Sequence, residues 1–507
     1  MSLPQPAPVI REAGDPSTSV LAALRSPRRL KTEVLAGLVV ALALIPEAIS
    51  FSIIAGVDPR VGLFASFTMA VTIAITGGRP AMISAATGAV ALVIAPLVRE
   101  HGLDYLIATV LLAGVLQIAL SAAGVARLMR FVPRSVMVGF VNALAILIFA
   151  SQLPYLIGVP ALVYPLVAAA LLVMVLLPRL TTAIPAPLIA IVLLTSVVVI
   201  FHLHVPNVGD EGELPSSLPQ LLLPQVPLTA ATLAIIAPYA LAMALVGLLE
   251  SLMTAKLVDD ITDTHSNKTR EGWGQGVANV VTGLFGGMGG CAMIGQTMIN
   301  VKVSGARTRI STFLAGLFLL GLVVGLGDVV GTIPMAALVA VMIMVSVGTF
   351  DWHSVHPSTL RRMPRSETLV MVATVVVTVA TSNLAYGVIV GSVTAMVLFA
   401  RRVAHLVTVE KVDTPETDDD TVVYRVTGAL FFASSNDLVY QFDYTGDPHH
   451  VVIDMTDSHI WDASTVAALD AVTTRYRARG KEVEIVGLDA DSADRRDRLS
   501  GRLGAPE

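Results

Sequence analysis

The sequence predicts an α-helical membrane protein with fourteen transmembrane segments in two seven-helix inverted repeats, followed by a small soluble α/β domain. Of its 507 residues, 54% are hydrophobic and only 14% are charged, whereas soluble domains carry about 25% charged residues. The charge is concentrated at the end of the chain, because residues 406–507 hold 30 of the 71 charged residues. These observations exclude a purely soluble protein and place a domain boundary near residue 405.

Fourteen apolar segments account for most of the first 405 residues, although several are shorter than the roughly 20 residues of an unbroken span. A polar, proline-rich stretch at 202–229 separates the first seven from the last seven. We therefore predict a cytosolic tail at 1–30, a transmembrane domain at 31–405 with repeats at about 31–203 and 230–405, and a cytosolic domain at 406–507. The predicted segments are 34–57, 61–76, 87–98, 105–124, 132–150, 161–177, 184–201, 230–254, 275–287, 293–303, 310–326, 330–347, 368–381 and 384–400.

The distribution of basic residues predicts the orientation of these segments. With the N-terminus in the cytosol, 21 Lys and Arg residues up to Arg402 lie on the inner side, and only Arg60 and Arg99 lie on the outer side. Because basic loops remain in the cytosol, both termini are expected there, with the protein in the cytoplasmic membrane. The net charge of −5 gives no indication of nucleic-acid binding.

The third and tenth predicted segments are short and interrupted by glycine. The glycine-rich stretches 77–88 and 286–295 lead into these two segments, and both stretches contain Ala-Met-Ile, beginning at Ala81 and Ala292. Interrupted segments at corresponding places in two halves indicate an inverted-repeat transporter with a site at the middle of the membrane. A helix that begins there presents free N–H groups and a partial positive charge, so two such helices form an anion site. The alternative is that the glycines only permit close helix packing.

Two carboxyl groups fall well inside the predicted segments. Glu47 follows Pro46 in the first segment, and Glu250 lies in the eighth, with Thr254 one turn later. An ionised acid at the middle of a membrane costs about 2.5–3.5 kcal/mol, so both are candidates for binding an ion or carrying a proton. The alternative for each is a neutral acid that is hydrogen-bonded between helices.

From residue 421 the pattern changes to strands that alternate with helices, which predicts a small α/β domain. Strands are expected at 422–426, 429–432, 450–455 and 483–486, and helices at 436–442 and from Asp462 to about Arg479. The sequence has no phosphate-binding loop, catalytic triad, or metal or cofactor motif, so we predict regulation or assembly rather than enzymatic activity. Cys291 is the single cysteine, which excludes an intrachain disulfide.

Three groups of residues resemble the SulP family, the sulfate permease group of anion transporters, and the resemblance covers nearly the whole chain after residue 30. It implies core and scaffold subdomains, a homodimer and a C-terminal STAS domain. The segment Pro46-Glu47-Ala48-Ile49-Ser50-Phe51 resembles the first-span signature, Ser84-Ala85-Ala86-Thr87-Gly88 the start of the broken third helix, and Val452-Ile453-Asp454-Met455 with Asp462-Ala463-Ser464-Thr465 the STAS domain.

The resemblance also implies the residues of the site. The anion would lie between the N-termini of broken helices three and ten. In sodium-coupled bicarbonate relatives, an acid and a hydroxyl that match Glu250 and Thr254 hold the cation. In regulated STAS domains the serine that matches Ser464 is phosphorylated, and here Ser464 is also expected to cap a helix. The residues expected to contact the anion are Glu47, Phe51, Thr87, Gly88, Ala89, Ile294, Gly295 and Gln296.

The chain is accordingly expected to be a secondary active anion transporter, similar to the bacterial proton-coupled fumarate symporters of the family. Glutamate at position 250, where sodium-coupled relatives have aspartate, and Gln296, where eukaryotic relatives often have arginine, favour a co-transported proton. The expected substrate is a small anion: fumarate or another dicarboxylate, sulfate or bicarbonate. The expected coupling ion is a proton, or alternatively sodium. The other expected partners are the lipid bilayer and a cytosolic protein that binds the STAS domain. A sodium-coupled bicarbonate transporter, an anion channel and a membrane-anchored receptor are the alternatives.

Overall fold

The computed structural model describes residues 18–125, 132–180, 186–227, 229–404, 407–412 and 420–501. Its contacts divide the chain into two compact units, Met1–Ser392 and Val393–Glu507. The predicted inner-loop residues Arg127 and Arg130 lie outside the described residues.

The first unit is built almost entirely from helices. Local signals set their ends: α2 has Pro27 at its first position, where no backbone donor is needed, and stops at Gly56, whose φ of 79° is in the left-handed region. The helices are α1 (Val20–Leu24), α2 (Pro27–Ala55), α3 (Pro59–Thr76), α4 (Gly88–Ala122), α5 (Arg134–Gln152), α6 (Val163–Leu180), α7 (Ala186–Ile200), α8 (Ala230–Thr262), α9 (Lys268–Leu284), α10 (Ile294–Met298), α11 (Arg309–Gly325), α12 (Gly327–Gly331), α13 (Met335–Thr349), α14 (Pro357–Arg362), α15 (Arg365–Thr381) and α16 (Leu384–Ala404), of which the last continues beyond Ser392, where this unit ends.

Six of these helices, among the residues described, are long and apolar enough to cross a membrane: α2, α3, α4, α5, α8 and α16. Four shorter apolar helices, α6, α7, α11 and α13, accompany them. The expected helical architecture is confirmed, whereas the count of fourteen spans stays a prediction. The described part of the chain has fewer apolar helices than predicted segments partly because α4 joins the predicted segments 87–98 and 105–124. The two parts meet at Gly102, whose φ of 81° and ψ of −170° are not helical.

The helices of the first unit pack in two groups. One group contains α2, α3, α4, α8, α9 and α11, and the other contains α5, α6, α7, α13 and α15. Two very short strands, β1 (Ser84–Ala85) and β2 (Cys291–Ala292), pair within the first group and join the two halves of the sequence. This group therefore brings the two glycine-rich segments together.

The second unit contains a four-stranded sheet of order β3-β4-β5-β6. Strands β3 and β4 are antiparallel, and the other two pairs are parallel. The predicted strand 422–426 and the first half of the predicted strand 429–432 form one strand, β4, which ends at Leu430 and has a register shift between Arg425 and Thr427. Phe432, expected at the end of a strand, begins a helix, α17, instead. The elements are β3 (Thr408–Val412), β4 (Thr421–Leu430), α17 (Phe432–Leu438), β5 (His450–Ile460), α18 (Ala463–Arg477), β6 (Glu482–Val486) and α19 (Ala490–Leu499).

Helix α17 begins four residues earlier than predicted, and the sequence patterns did not predict β3 or α19. At the start of α18, Asp462 caps the helix by accepting a hydrogen bond from the Thr465 N–H at 3.0 Å. The expectation that Ser464 caps this helix is wrong, because Ser464 is an exposed residue in its first turn.

Candidate functional site

Pairing between β1 and β2 sets the geometry of the candidate site. Ser84 pairs with Ala292, and Ala85 pairs with Cys291, in an antiparallel register. Gly290 permits this approach, because a Cβ at that position would overlap the carbonyl oxygen of Ala85. Each strand leads directly into a helix, β1 into α4 and β2 into α10, so the two helix N-termini are held at the same place.

The N-terminus of α4 presents free backbone donors. Thr87 caps it, with its Oγ1 accepting from the Val90 N–H at 3.4 Å. The N–H groups of Gly88 and Ala89 have no hydrogen-bond partner among the described residues, as the first turn of a helix allows.

The N-terminus of α10 faces open space. Within the described parts of the chain, the N–H groups of Ile294, Gly295 and Gln296 also lack a partner. Gly295 is exposed, and no atom lies within 4 Å of the position its Cβ would take. The helix continues beyond Met298 as a π-helical turn, Ile299–Val303. A small anion placed at Gly295 would therefore meet backbone N–H groups and the positive end of a helix.

Helix α2 supplies the side chains predicted for the first segment. The Phe51 ring lies against Gly88, since a Cβ on Gly88 would be 2.8 Å from Phe51 Cε1. The side chain of Glu47 is hydrogen-bonded to that of Gln296. Gln296 is 1% exposed, and its Oε1 has no partner among the residues described. The structure thus brings residues from all three predicted segments together around the two helix N-termini.

Glu250 of α8 reaches the same place from the other side. Its Oε2 accepts a hydrogen bond from the Cys291 thiol, with a distance of 2.9 Å to Sγ. The Cys291 Sγ is also 3.1 Å from the Thr87 hydroxyl oxygen. Thr254 donates its own hydroxyl hydrogen to the Glu250 carbonyl oxygen at 2.7 Å. Glu250 is therefore linked through one thiol to the cap of α4.

Sequence reasoning overlooked Cys291, which was considered only as a partner for a disulfide. Its position inside the glycine-rich segment was the one available signal. Glu250 is also not the only buried acid of the first unit, because Glu33 and Glu271 are 4% and 0% exposed; Glu47 is half-buried.

Both additional acids hold backbone N–H groups in place. Glu33 accepts from the N–H groups of Arg307 and Thr308 at the start of α11. Glu271 accepts from those of Gly78 at 2.8 Å and Arg79 at 2.9 Å. They were missed because Glu271 precedes the predicted ninth segment and Glu33 precedes the first.

Comparisons with known proteins identify the family. The chain matches the profile of the Sulfate permease family over residues 30–167 and 159–374, and that of the STAS domain over 411–500. It is 52% identical to the Bacillus subtilis (strain 168) protein named "Putative sulfate transporter YbaR", over 91% of this chain and 95% of that protein. It is 25% identical to the bicarbonate transporter BicA of Picosynechococcus sp., over 93% of this chain and 91% of that one.

Solved structures share the fold. The murine SLC26A9 anion transporter in its inward-facing state superposes with a TM-score of 0.79 at 17% identity, covering 92% of this chain and 87% of that one. The transmembrane domain of a cyanobacterial BicA superposes with a TM-score of 0.63 at 26% identity, covering 73% and 98%. The family and these relatives are transporters, not enzymes. The chain therefore belongs to the sulfate permease family of anion transporters, as a multi-pass membrane protein with a C-terminal STAS domain.

Proposed function

We propose that this chain is an anion:proton symporter of the cytoplasmic membrane, with both termini in the cytosol. The observation that carries the proposal is the meeting of two helix N-termini, at Gly88 and Gly295, beside the buried carboxyl of Glu250. The anion binds between these N-termini and is a dicarboxylate such as fumarate, or sulfate. None of the eight residues proposed to contact it is basic, so its charge is balanced by helix dipoles and by a proton.

A proton fits the surroundings of Glu250 better than sodium does. Glu250 Oε2 is in contact with the Cys291 thiol, a soft sulfur group, whereas a hard cation such as sodium takes oxygen ligands. The Thr254 hydroxyl donates to the backbone carbonyl of Glu250 and not to its carboxyl group. Glu250 is 6% exposed, and a buried carboxyl that binds a proton avoids the cost of a buried charge. We therefore assign Glu250 as the proton carrier, with Thr254 as its neighbour in the ion-coupling site.

Transport proceeds by alternating access, in which the helix group that holds the site moves against the other group. The transport domain spans 31–405, and the STAS domain spans 406–507 and binds a cytosolic partner. The protein works as a homodimer. Ser464 is exposed at the start of α18, which suits a regulatory phosphorylation site.

A sodium-coupled bicarbonate transporter is the second candidate, because BicA, a bicarbonate transporter by name, aligns with most of this chain. Uptake of labelled fumarate, sulfate and bicarbonate into proteoliposomes separates the two. Accumulation that is driven by an inward proton gradient and is lost in Glu250→Gln supports the symporter. Accumulation of bicarbonate under a sodium gradient alone supports the second candidate, and large single-channel currents without accumulation would indicate an anion channel.

A further inference from the structure

Three buried side chains form an unbroken hydrogen-bonded chain between the anion site and the ion-coupling site. Thr87, Cys291 and Glu250 are 1%, 0% and 6% exposed. The Thr87 oxygen and the Cys291 sulfur are 3.1 Å apart, and that sulfur and Glu250 Oε2 are 2.9 Å apart. Each of the two inner groups, the hydroxyl and the thiol, carries a single hydrogen. With both hydrogen bonds kept and any carboxyl proton on Oε2, this hydrogen-bonded chain can therefore be polarised in two ways.

The first polarity belongs to ionised Glu250. A carboxylate only accepts hydrogen bonds, so the Cys291 thiol donates to it. The sulfur is then left as an acceptor, and the Thr87 hydroxyl donates its hydrogen to that sulfur. In this polarity the hydroxyl hydrogen points away from the N-terminus of α4, and the Thr87 oxygen presents only lone pairs to an anion.

The second polarity belongs to protonated Glu250. Its O–H donates to the Cys291 sulfur, the thiol hydrogen turns to the Thr87 oxygen, and the Thr87 hydrogen is released. No covalent bond of Cys291 or Thr87 breaks, because each hydrogen only rotates about its C–S or C–O bond, and the one added proton stays on Glu250. The released hydroxyl hydrogen becomes a further donor beside the free N–H groups of Gly88 and Ala89.

We propose that Cys291 is the positioning residue that couples the two sites, so that a proton on Glu250 strengthens anion binding at Thr87. The inference rests on the proposed function and adds to it the route by which proton and anion favour each other. Linkage requires reciprocity, so a bound anion also strengthens proton binding at Glu250. A symporter requires such positive coupling between the binding of the proton and that of the anion.

Among the described residues, Cys291 is the titratable group that contacts the Glu250 carboxyl directly. Helix α8 packs against α4, α9, β2 and α10. On β2 the titratable group is Cys291 itself. The charged residues of α9 are Lys268, Arg270 and Glu271, all in its first turn, and the Glu271 carboxylate is held by Gly78, Arg79 and Gln275. The charged residues of α4 lie at 99–104, more than two turns beyond its N-terminus, and α10 has none.

A second observation indicates that the site awaits a ligand. Gln296, on the first turn of the facing helix, is 99% buried, yet its Oε1 has no hydrogen-bond partner in the described part of the chain. A buried unpaired acceptor is costly, so the hydrogen bonds around the N-termini are incomplete without an occupant. Its neighbour Gly295 opens onto free space, which provides the room.

The test measures sulfate affinity of the full-length protein at pH 8 and at pH 5.5, since the charge of sulfate is constant over that range. We expect the wild-type affinity to rise about tenfold at the lower pH, within the roughly 5–150-fold span of typical coupling. Cys291→Ala interrupts the hydrogen-bonded chain between Thr87 and Glu250. The sulfate affinities of this variant at the two pH values should therefore differ by less than about twofold. In Cys291→Ser a hydroxyl replaces the thiol, and the pH dependence should return.

Two further variants separate coupling from structural damage. Ser251→Ala removes a different hydrogen bond to β2, the one that Ser251 Oγ accepts from the Ala292 N–H at 3.1 Å, and it should keep the wild-type pH dependence. Glu250→Gln places an amide N–H where the protonated acid has its O–H, so it should bind sulfate tightly at both pH values. The inference is overturned if folded Cys291→Ala keeps the wild-type pH ratio, or if Cys291→Ser lacks it. A wild-type protein that neither binds nor accumulates any anion overturns the proposed function instead.

Discussion

Replacing Gly88 by alanine tests whether the close approach of Phe51 to the α4 N-terminus shapes the anion site. The added Cβ would lie 2.8 Å from Phe51 Cε1 and 3.1 Å from Ile148 Cδ1. The first distance is below ordinary van der Waals contact, so the ring has to move away from the helix. Overpacking of this kind costs about 1–3 kcal/mol, and alanine is otherwise the better helix former.

The expected effect on binding follows from that cost. If about 1.4–2.8 kcal/mol of it falls on the anion-bound state, the affinity falls about 10–100-fold, because each 1.4 kcal/mol is a factor of ten. The assay is equilibrium binding of labelled sulfate to purified full-length protein, together with its thermal unfolding temperature. The double variant with Phe51→Leu should recover much of the loss, because the smaller side chain makes room for the methyl group.

Gly321→Ala is the matched control. Gly321 lies in α11, and no atom lies within 4 Å of the position that an added methyl group would take. Alanine there should leave binding unchanged and keep or raise the unfolding temperature. Unchanged affinity and stability in Gly88→Ala, or a double variant no better than the single one, would refute the reasoning that Phe51 packs on this helix N-terminus.

Three other predictions concern the buried acids and the second unit. Glu250→Gln should abolish proton-driven accumulation in proteoliposomes while counterflow exchange of anions persists; loss of both would instead indicate a structural role. Asp447→Ala should lower the stability of the second unit by about 2–5 kcal/mol, measured by denaturant unfolding, because Tyr424 and Tyr476 both donate to this carboxylate, at 2.9 Å and 2.5 Å; Asp447→Asn, which keeps an acceptor, should lose less. Burial, together with Asp447, raises the pKa of Tyr424 to about 12. Its unfolded-state pKa is about 10, so its contribution to stability is complete below pH 10 and lost as the pH rises to about 12. An absorbance titration at 295 nm should show this late step in the wild type, and its persistence in Tyr424→Phe would contradict the assignment.

The sequence predicted the elements whose signals are local and repeated. Glycine after Thr76 and Ser382-Asn383 after Thr381 end two apolar runs, and α3 and α15 end at these residues in the structure. The interrupted segments were also identified, because glycines clustered within apolar sequence are a local signal of broken secondary structure. These features are determined by residues that are close together in the sequence, and such local signals can be recognised in a single sequence.

The relation between the two interrupted segments was not readable in detail. The shared Ala-Met-Ile suggested that Ala81 and Ala292 are equivalent, but Ala292 lies within β2, whereas Ala81 lies ahead of the first residue of β1, Ser84. The match therefore does not follow the structural register. In the same way, the contact of Cys291 with both Glu250 and Thr87 joins residues far apart in sequence, and no local pattern encodes it.

The pairing of β1 with β2 limits how this site can change its specificity. Because Gly290 packs on the Ala85 carbonyl, the distance between the two helix N-termini is fixed by backbone and does not respond to ordinary side-chain substitution. Under the proposed function, the backbone donors act as a common receptor for small anions. Selection among anions is left to the few side chains around them, Glu47, Phe51 and Gln296. Substitutions at these three positions should redirect the transporter to another anion without rebuilding its frame, whereas substitutions at Gly290 should remove binding of every anion at once.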